Sequence, residues 1–266
     1  MTPIRFVVES VACWAPSLPG WDVARAALRG EGAPVDPPVK RPAPEILAPA
    51  ERRRAPDSVA LALEVAAAAV RASGRDPATL ASVFTSAHGD LAVNDYMCTT
   101  LATTPALISP TRFHNSVHNA AAGYWTIATG CRAASSALTA FDASFAAGLL
   151  EATLQCVADG EPVLLVAFDV QASGALASVT HSDGLFAAAL VLAPATSGRA
   201  IAAFEATLLP GPSRRPPLAS DAARALAGNA MADALPFLEA LATGADAPLD
   251  LPLSSSLSLR LVAAAA

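Results

Sequence analysis

The stretch SSALTAFDASFAAGLLEA, residues 135–152, decides how the chain is read. Its first half suits a short strand, and its second half, rich in alanine, suits a helix packed closely on a neighbour. One carboxylate, Asp142, stands at the joint. A strand that turns sharply into a helix presents its corner residue at the helix N-terminus, where free backbone N–H groups stabilise an anion. Aspartate is also a good N-cap in its own right. Asp142 therefore reads in two ways: as a plain cap, or as the relic of a corner that carried a nucleophile.

Outward from this corner, strand and helix patterns alternate along the chain. Strands are expected over residues 4–13, 80–87, 134–141, 162–169, 185–192, 201–208 and 251–261. Helices are expected over 59–72 (capped by Asp57 or Ser58 and ended by Gly74), 91–103, about 115–128 (opened by Asn115 or Ser116), 143–157 and 220–241. Residues 14–56 hold much of the proline and read as an irregular covering loop, because proline lacks the backbone donor that ladders need. The alternation predicts an α/β layered fold on a largely buried mixed sheet. Residues 1–209 read as the main domain. The stretch PGPSRRPPL, 210–218, reads as a linker into a helix–strand appendage, 210–266, that packs back on that domain.

Composition bounds the function. Of 266 residues 53% are apolar and only 15% charged, yet no apolar run is long enough to cross a bilayer. The surplus fits a buried interface with an obligate partner, since such interfaces resemble a core cut in half. A net charge of −6 supplies no basic footprint for nucleic acid. Cys13, Cys98, Cys131 and Cys156 are scattered, which suits reduced thiols, and the N-terminal residues lack a signal-peptide pattern. A cytoplasmic protein is the expectation.

Candidate chemistry is sparse. No G-x-S-x-G, Walker loop or G-x-G-x-x-G occurs. His114 and His118 in FHNSVHN are four apart and would share one helix face, but no third ligand or metalloprotease glutamate accompanies them, so no metal is assigned. Cys131 in TIATGCRAAS follows a helix end, where the dipole disfavours a thiolate. It reads as structural, and a nucleophilic role is kept as the alternative.

These residues resemble the N-terminal half of a β-ketoacyl synthase of the thiolase superfamily. The resemblance rests on Asn119, Ala122-Gly123, Gly130-Cys131-Arg132, the strand 134–141, then Asp142 and its helix, in the family's order and spacing. VLLVA at 163–167 is similar to the strand after the nucleophile helix. Ser182-Asp183-Gly184-Leu185-Phe186 resembles the segment that closes the first half. The likeness covers roughly residues 55–195 and implies one thiolase-like α-β-α half. In this register Asp142 occupies the nucleophile position. A competing register places Cys131 there but displaces Asn119 and Gly123. The family's His-Gly-Thr-Gly and Gly-His motifs do not occur, so condensation by this chain alone is not expected, because it needs a thiolate and imidazoles.

The resemblance is closest to the short ketosynthase-like subunits associated with aryl polyene pigment synthesis. It implies a non-catalytic chain-length-factor role beside a full-length β-ketoacyl synthase, served by an acyl carrier protein and using no cofactor. It also implies an interface through 134–141 and 112–124. Arg112, Phe113, His114, His118, Asn119, Tyr124, Leu138, Phe141 and Asp142 are its candidate interface or channel residues, with Phe113, His114 and His118 reaching the partner's acyl channel. Two other readings stay open: an acyltransferase or malonyl decarboxylase using Cys131, and a carrier-protein docking module.

Overall fold

Strand β5 (Val163–Asp169), VLLVAFD, is apolar on both faces, as a central strand covered on two sides must be. A computed structural model, which describes residues 3–265, places it within a mixed sheet. Parallel neighbours stand on one side: β3 (Ala81–Thr85) pairs β5, and β4 (Ser135–Leu138) pairs β3 as the sheet's edge. On the other side the strands are antiparallel. They run β6 (Phe186–Pro194), β1 (Ile4–Ala15), β7 (Ala202–Pro210), β9 (Leu257–Ala264) and β8 (Leu249–Pro252), with the short β2 (Leu18–Pro19) hairpinned onto β1.

Helices cover both faces. α3 (Asp57–Ser73) and α6 (Ala120–Thr129) pack on one, around Trp125, Phe84 and Leu164. α7 (Ser144–Asp159), α1 (Trp21–Leu28) and α9 (Leu235–Thr243) pack on the other, around Phe145, Leu149, Phe186 and Phe237. The remaining α-helices are α4 (Leu91–Thr103) and the short α2 (Pro49–Arg54), α5 (Pro110–His114) and α8 (Asp221–Arg224). The expected α-β-α layering is therefore present. The alanine-rich face of α7 lets it lie close on the sheet. At Gly148 a Cβ would stand 2.8 Å from Thr85 Cγ2, so glycine is required there. Phe145 and Leu149, both fully buried, anchor the contact at about 2 kcal/mol each. No helix among the described residues is long and apolar enough to cross a membrane.

Several boundaries differ from the expectation. Residues 14–56 are not all loop: they hold β2, α1 and α2, and α1 buries Ala24, Ala27 and Leu28 in the core. The stretch 115–128 is not one helix, because α5 ends at His114 and α6 starts at Ala120. β4 spans four residues rather than eight. The expected helix over 220–241 is broken between α8 and α9. Gly228 there packs so tightly that a Cβ would come within 2.4 Å of Asp183 Oδ2, the Asn229 side chain binds backbone carbonyls instead of continuing a helix, and Pro236 opens α9. The expected strand over 251–261 is the hairpin β8–β9, turned through Ser254–Ser256 after Pro252. β8 and β9 thus extend the same sheet.

One polar group breaks the β1 ladder. The register with β6 shifts between Val8 and Ser10, and Glu9 turns its fully buried carboxylate onto Arg75 (2.5 and 2.8 Å) and Ser197. The Arg75 guanidinium and Ser197 hydroxyl outweigh the desolvation that opposes them, so the Glu9 carboxyl lies below its usual range.

Candidate functional site

Between β4 and α7 the chain makes a single 3-10 turn, Phe141–Ala143. Its distinctive residue is Phe141, with φ at +48°, a left-handed conformation that a side-chain-bearing residue adopts at a cost. The turn is over-determined. Ala140 N–H donates to Ser144 Oγ (3.0 Å), Ser144 Oγ donates to the Phe141 carbonyl (2.7 Å), and Ala143 N–H donates to the Ala140 carbonyl (3.0 Å). The Phe141 ring remains 70% exposed and meets the His88 ring edge-on at 6.4 Å between centroids.

Asp142 does not cap α7. The turn carries its side chain into solvent, neither the turn nor α7 receives a side-chain cap from its own N-cap residue, and only the Asp142 carbonyl is engaged, by Arg215 Nη2 at 3.1 Å. The expected carboxylate at this helix N-terminus is nevertheless present, supplied by Asp233. Its Oδ2 accepts from Phe145 N–H (2.9 Å) and Ala146 N–H (3.3 Å). Burial pushes the Asp233 carboxyl up to about 7, against those two bonds and the Arg215 charge, with Asp169 adding to the rise.

Cys131 lies at the other end of β4. Its Sγ is buried and donates to the Leu80 carbonyl (3.4 Å) where β3 begins, whereas the corner faces Ser86 and Ala87 where β3 has ended, as Thr139 Oγ1 donating to the Ala87 carbonyl shows. Because β3 and β4 are parallel, a full strand length separates the thiol from the corner. Burial pushes the Cys13 and Cys156 thiols up to about 12, which makes them poor nucleophiles.

A polar network underlies the corner. Asp169, at the end of β5 and 1% exposed, accepts from Ser86 Oγ and Ala87 N–H, both at 2.8 Å. Burial raises its carboxyl to about 6 against those bonds. His88 Nε2 bonds Thr180 Oγ1, and burial lowers its basicity while Asp142 partly restores it. His118 Nε2–H donates to the Ser86 carbonyl at 3.0 Å. Of this network only His118 and Asp142 were anticipated. Asp169, Asp233 and His88 were missed. The available signal was a lone acid in each of two apolar runs, FD at 168–169 and MADAL at 231–235.

His114 and His118 do not share a helix face, since the break between α5 and α6 separates them. His114 meets the Tyr124 ring edge-on at 5.7 Å beside a cavity of about 240 Å³. His118 and Asn119 line a groove of about 460 Å³ along Ser135–Ala137 of β4. Arg112 stacks over Tyr96 at 4.1 Å and borders a cavity of about 670 Å³ with Arg54, Asp90 and Asn115. Leu138 is half-buried on β4. Phe113 on α5, Val117 in the turn after it, Ile127 on α6 and Phe141 at the corner stand exposed, and of the two helices α6 packs beside β4.

The sequence model described as β-ketoacyl synthase, N-terminal domain, matches residues 27–247. No curated protein matches the chain. Among solved structures, a chain of a ketosynthase (ApeO) in complex with its chain length factor (ApeC) from Xenorhabdus doucetiae is similar at a TM-score of 0.75 and 23% identity, covering 97% of this chain and 99% of that one. A chain of the ishigamide ketosynthase/chain length factor is similar at a TM-score of 0.71 and 15% identity, over 98% and 99% of the two chains. A ketosynthase from module 1 of the bacillaene synthase of Bacillus amyloliquefaciens is similar at a TM-score of 0.57 and 12% identity, over 80% of this chain but 47% of its own. At these identities the structural likenesses establish the fold.

Proposed function

The chain belongs to the β-ketoacyl synthase N-terminal domain family, and from that premise we propose that it is a non-catalytic, chain-length-factor-type subunit. In this reading it pairs in the cytoplasm with a full-length β-ketoacyl synthase served by an acyl carrier protein, and shapes the synthase's acyl channel in type II synthesis of the aryl polyene kind. Residues 1–209 act as the ketosynthase-like unit, and 210–266 act as its extension.

The observation that carries this reading is the corner itself. Where β4 turns into α7, the chain presents an exposed phenyl ring and a solvated carboxylate, neither of which can hold an acyl group as a thiolate does. Cys131 stands a strand length away with its Sγ hydrogen-bonded. The unpaired edge of β4, with exposed Ile127 on the neighbouring α6 and exposed Phe141 at the corner that follows it, supports a partner on this face, since exposed strand edges beside apolar side chains are otherwise a liability. The two ketosynthase/chain length factor matches are covered almost end to end, which supports the pairing.

Co-expression with the ketosynthase and acyl carrier protein encoded nearest to it tests the proposal. Co-purification with the synthase is expected, with no acyl transfer to the isolated chain from a thioester substrate. Acylation of the isolated chain, lost in Cys131→Ser, would sink the proposal in favour of an enzyme.

A further inference from the structure

Three stretches distant in sequence meet beneath the corner on two carboxylates that form no ion pair among the described residues. Asp233, 2% exposed, takes both amides of the first turn of α7 on Oδ2 and leaves Oδ1 buried without a partner. Asp169 holds the 86–87 turn. Asn229 joins the two sites, its Nδ2 donating to the carbonyls of Asp183 (3.0 Å) and Asp169 (3.3 Å). Arg215 reaches over from the 211–218 stretch to the Asp142 carbonyl. Besides the burial of Met231, Ala232 and Ala234 in the core, that carboxyl is the side-chain bond that fastens the segment carrying Asp233 directly to the first turn of α7.

An ionised carboxylate here is poorly served. Two amide donors offset only part of its lost hydration. Arg215 acts on it from the linker without pairing, and Asp169 acts against it from β5. On the 86–90 turn His88 loses basicity by burial, with Asp142 as its charged neighbour. A neutral carboxyl keeps Oδ2 as the acceptor for both amides and places its proton on Oδ1, the oxygen without a bond to lose. We propose that Asp233, seconded by Asp169, is a proton-linked clamp: protonated, it holds the segment of residues 211–234 under α7, and ionised, it loosens that segment and the Phe141–Asp142 corner above it.

The sign follows from the shifts. Asp233 is raised from an ordinary 3.8 to about 7 and Asp169 to about 6. Their contribution is fully present below the ordinary value and is lost as pH rises through the folded values. Asparagine at 233 mimics the protonated form. Denaturant unfolding of the full chain between about pH 5 and about pH 8, with amide exchange at Phe145 and Ala146 corrected for its intrinsic rate, tests the clamp. For the wild type, the folding equilibrium weakens with rising pH by about tenfold per unit for each carboxyl titrating, so by up to about a hundredfold per unit below about pH 6, and the two amides lose protection in step. Asp233→Asn removes most of that loss, and Asp169→Asn removes a smaller share. Superimposed profiles for wild type and Asp233→Asn would overturn the proposal. So would constant protection of the two wild-type amides across the range, a measurement that needs no variant to fold.

Discussion

Helices α4 and α7 each follow a turn that contains an aspartate, and the two aspartates do opposite things. Asp90 enters α4 from an extended backbone (φ −118°), so its Oδ1 accepts from Val93 N–H at 3.0 Å while Oδ2 takes the Ser58 hydroxyl at 2.7 Å. Asp142 enters α7 through a 3-10 turn behind a left-handed Phe141, which carries its side chain away from the amides. Those amides are met by Asp233, 88 residues further on. A helix N-terminus thus attracts a carboxylate in both places, but the chain supplies it locally only where the entering backbone is extended. At α7 the cap also holds the C-terminal segment in place, so it couples two parts of the fold that α4's cap does not.

The comparison predicts a graded series. Asp233→Ala should have the largest effect, because it leaves two α7 amides without an acceptor and frees the 211–234 segment. A loss of about 2 to 3 kcal/mol is expected in denaturant unfolding at about pH 5, where the carboxyl is protonated. Asp90→Ala removes one cap bond and the Ser58 contact, and should cost about 1 kcal/mol. If Asp90→Ala proves the more damaging of the two, the long-range cap is not what secures the corner.

The same contrast explains what could be read in advance. The alternation of apolar strands and helices is local information, and it recovered the layered fold and most of its strands. The helix expected over 91–103 starts directly after Asp90 for the same reason. What was lost depended on contacts between distant residues. Asn229 breaks the expected helix over 220–241 because the carbonyls of Asp169 and Asp183 wait for its amide, and nothing within a window of neighbours reveals them. Asp142 looked like a cap because it precedes apolar helix residues, but the backbone angle of Phe141 decided otherwise. Phe141 itself carries no sequence mark of a left-handed residue, where glycine or asparagine would have advertised one. The polar network at Asp169, His88 and Asp233 is assembled from a strand end, a turn and a 3-10 turn distant in sequence, and only the fold brings them together.

Asp142 supplies the smallest and most discriminating test. Its side chain is exposed, so Asp142→Ala should change stability by less than about 0.5 kcal/mol, the usual range for surface positions free of special roles. A cap at this position would instead cost about 1 kcal/mol. Asp142 still acts through space on His88, whose basicity burial lowers and the Asp142 charge partly restores. Removing that charge should therefore move the His88 titration further down, as followed by imidazole NMR, while the α7 amides keep their protection. A large stability loss with an unmoved His88 would return Asp142 to the helix terminus and deny Asp233 its place there. A moved His88 with an intact fold separates the two carboxylates by function, one facing solvent and an imidazole, the other buried and holding the helix.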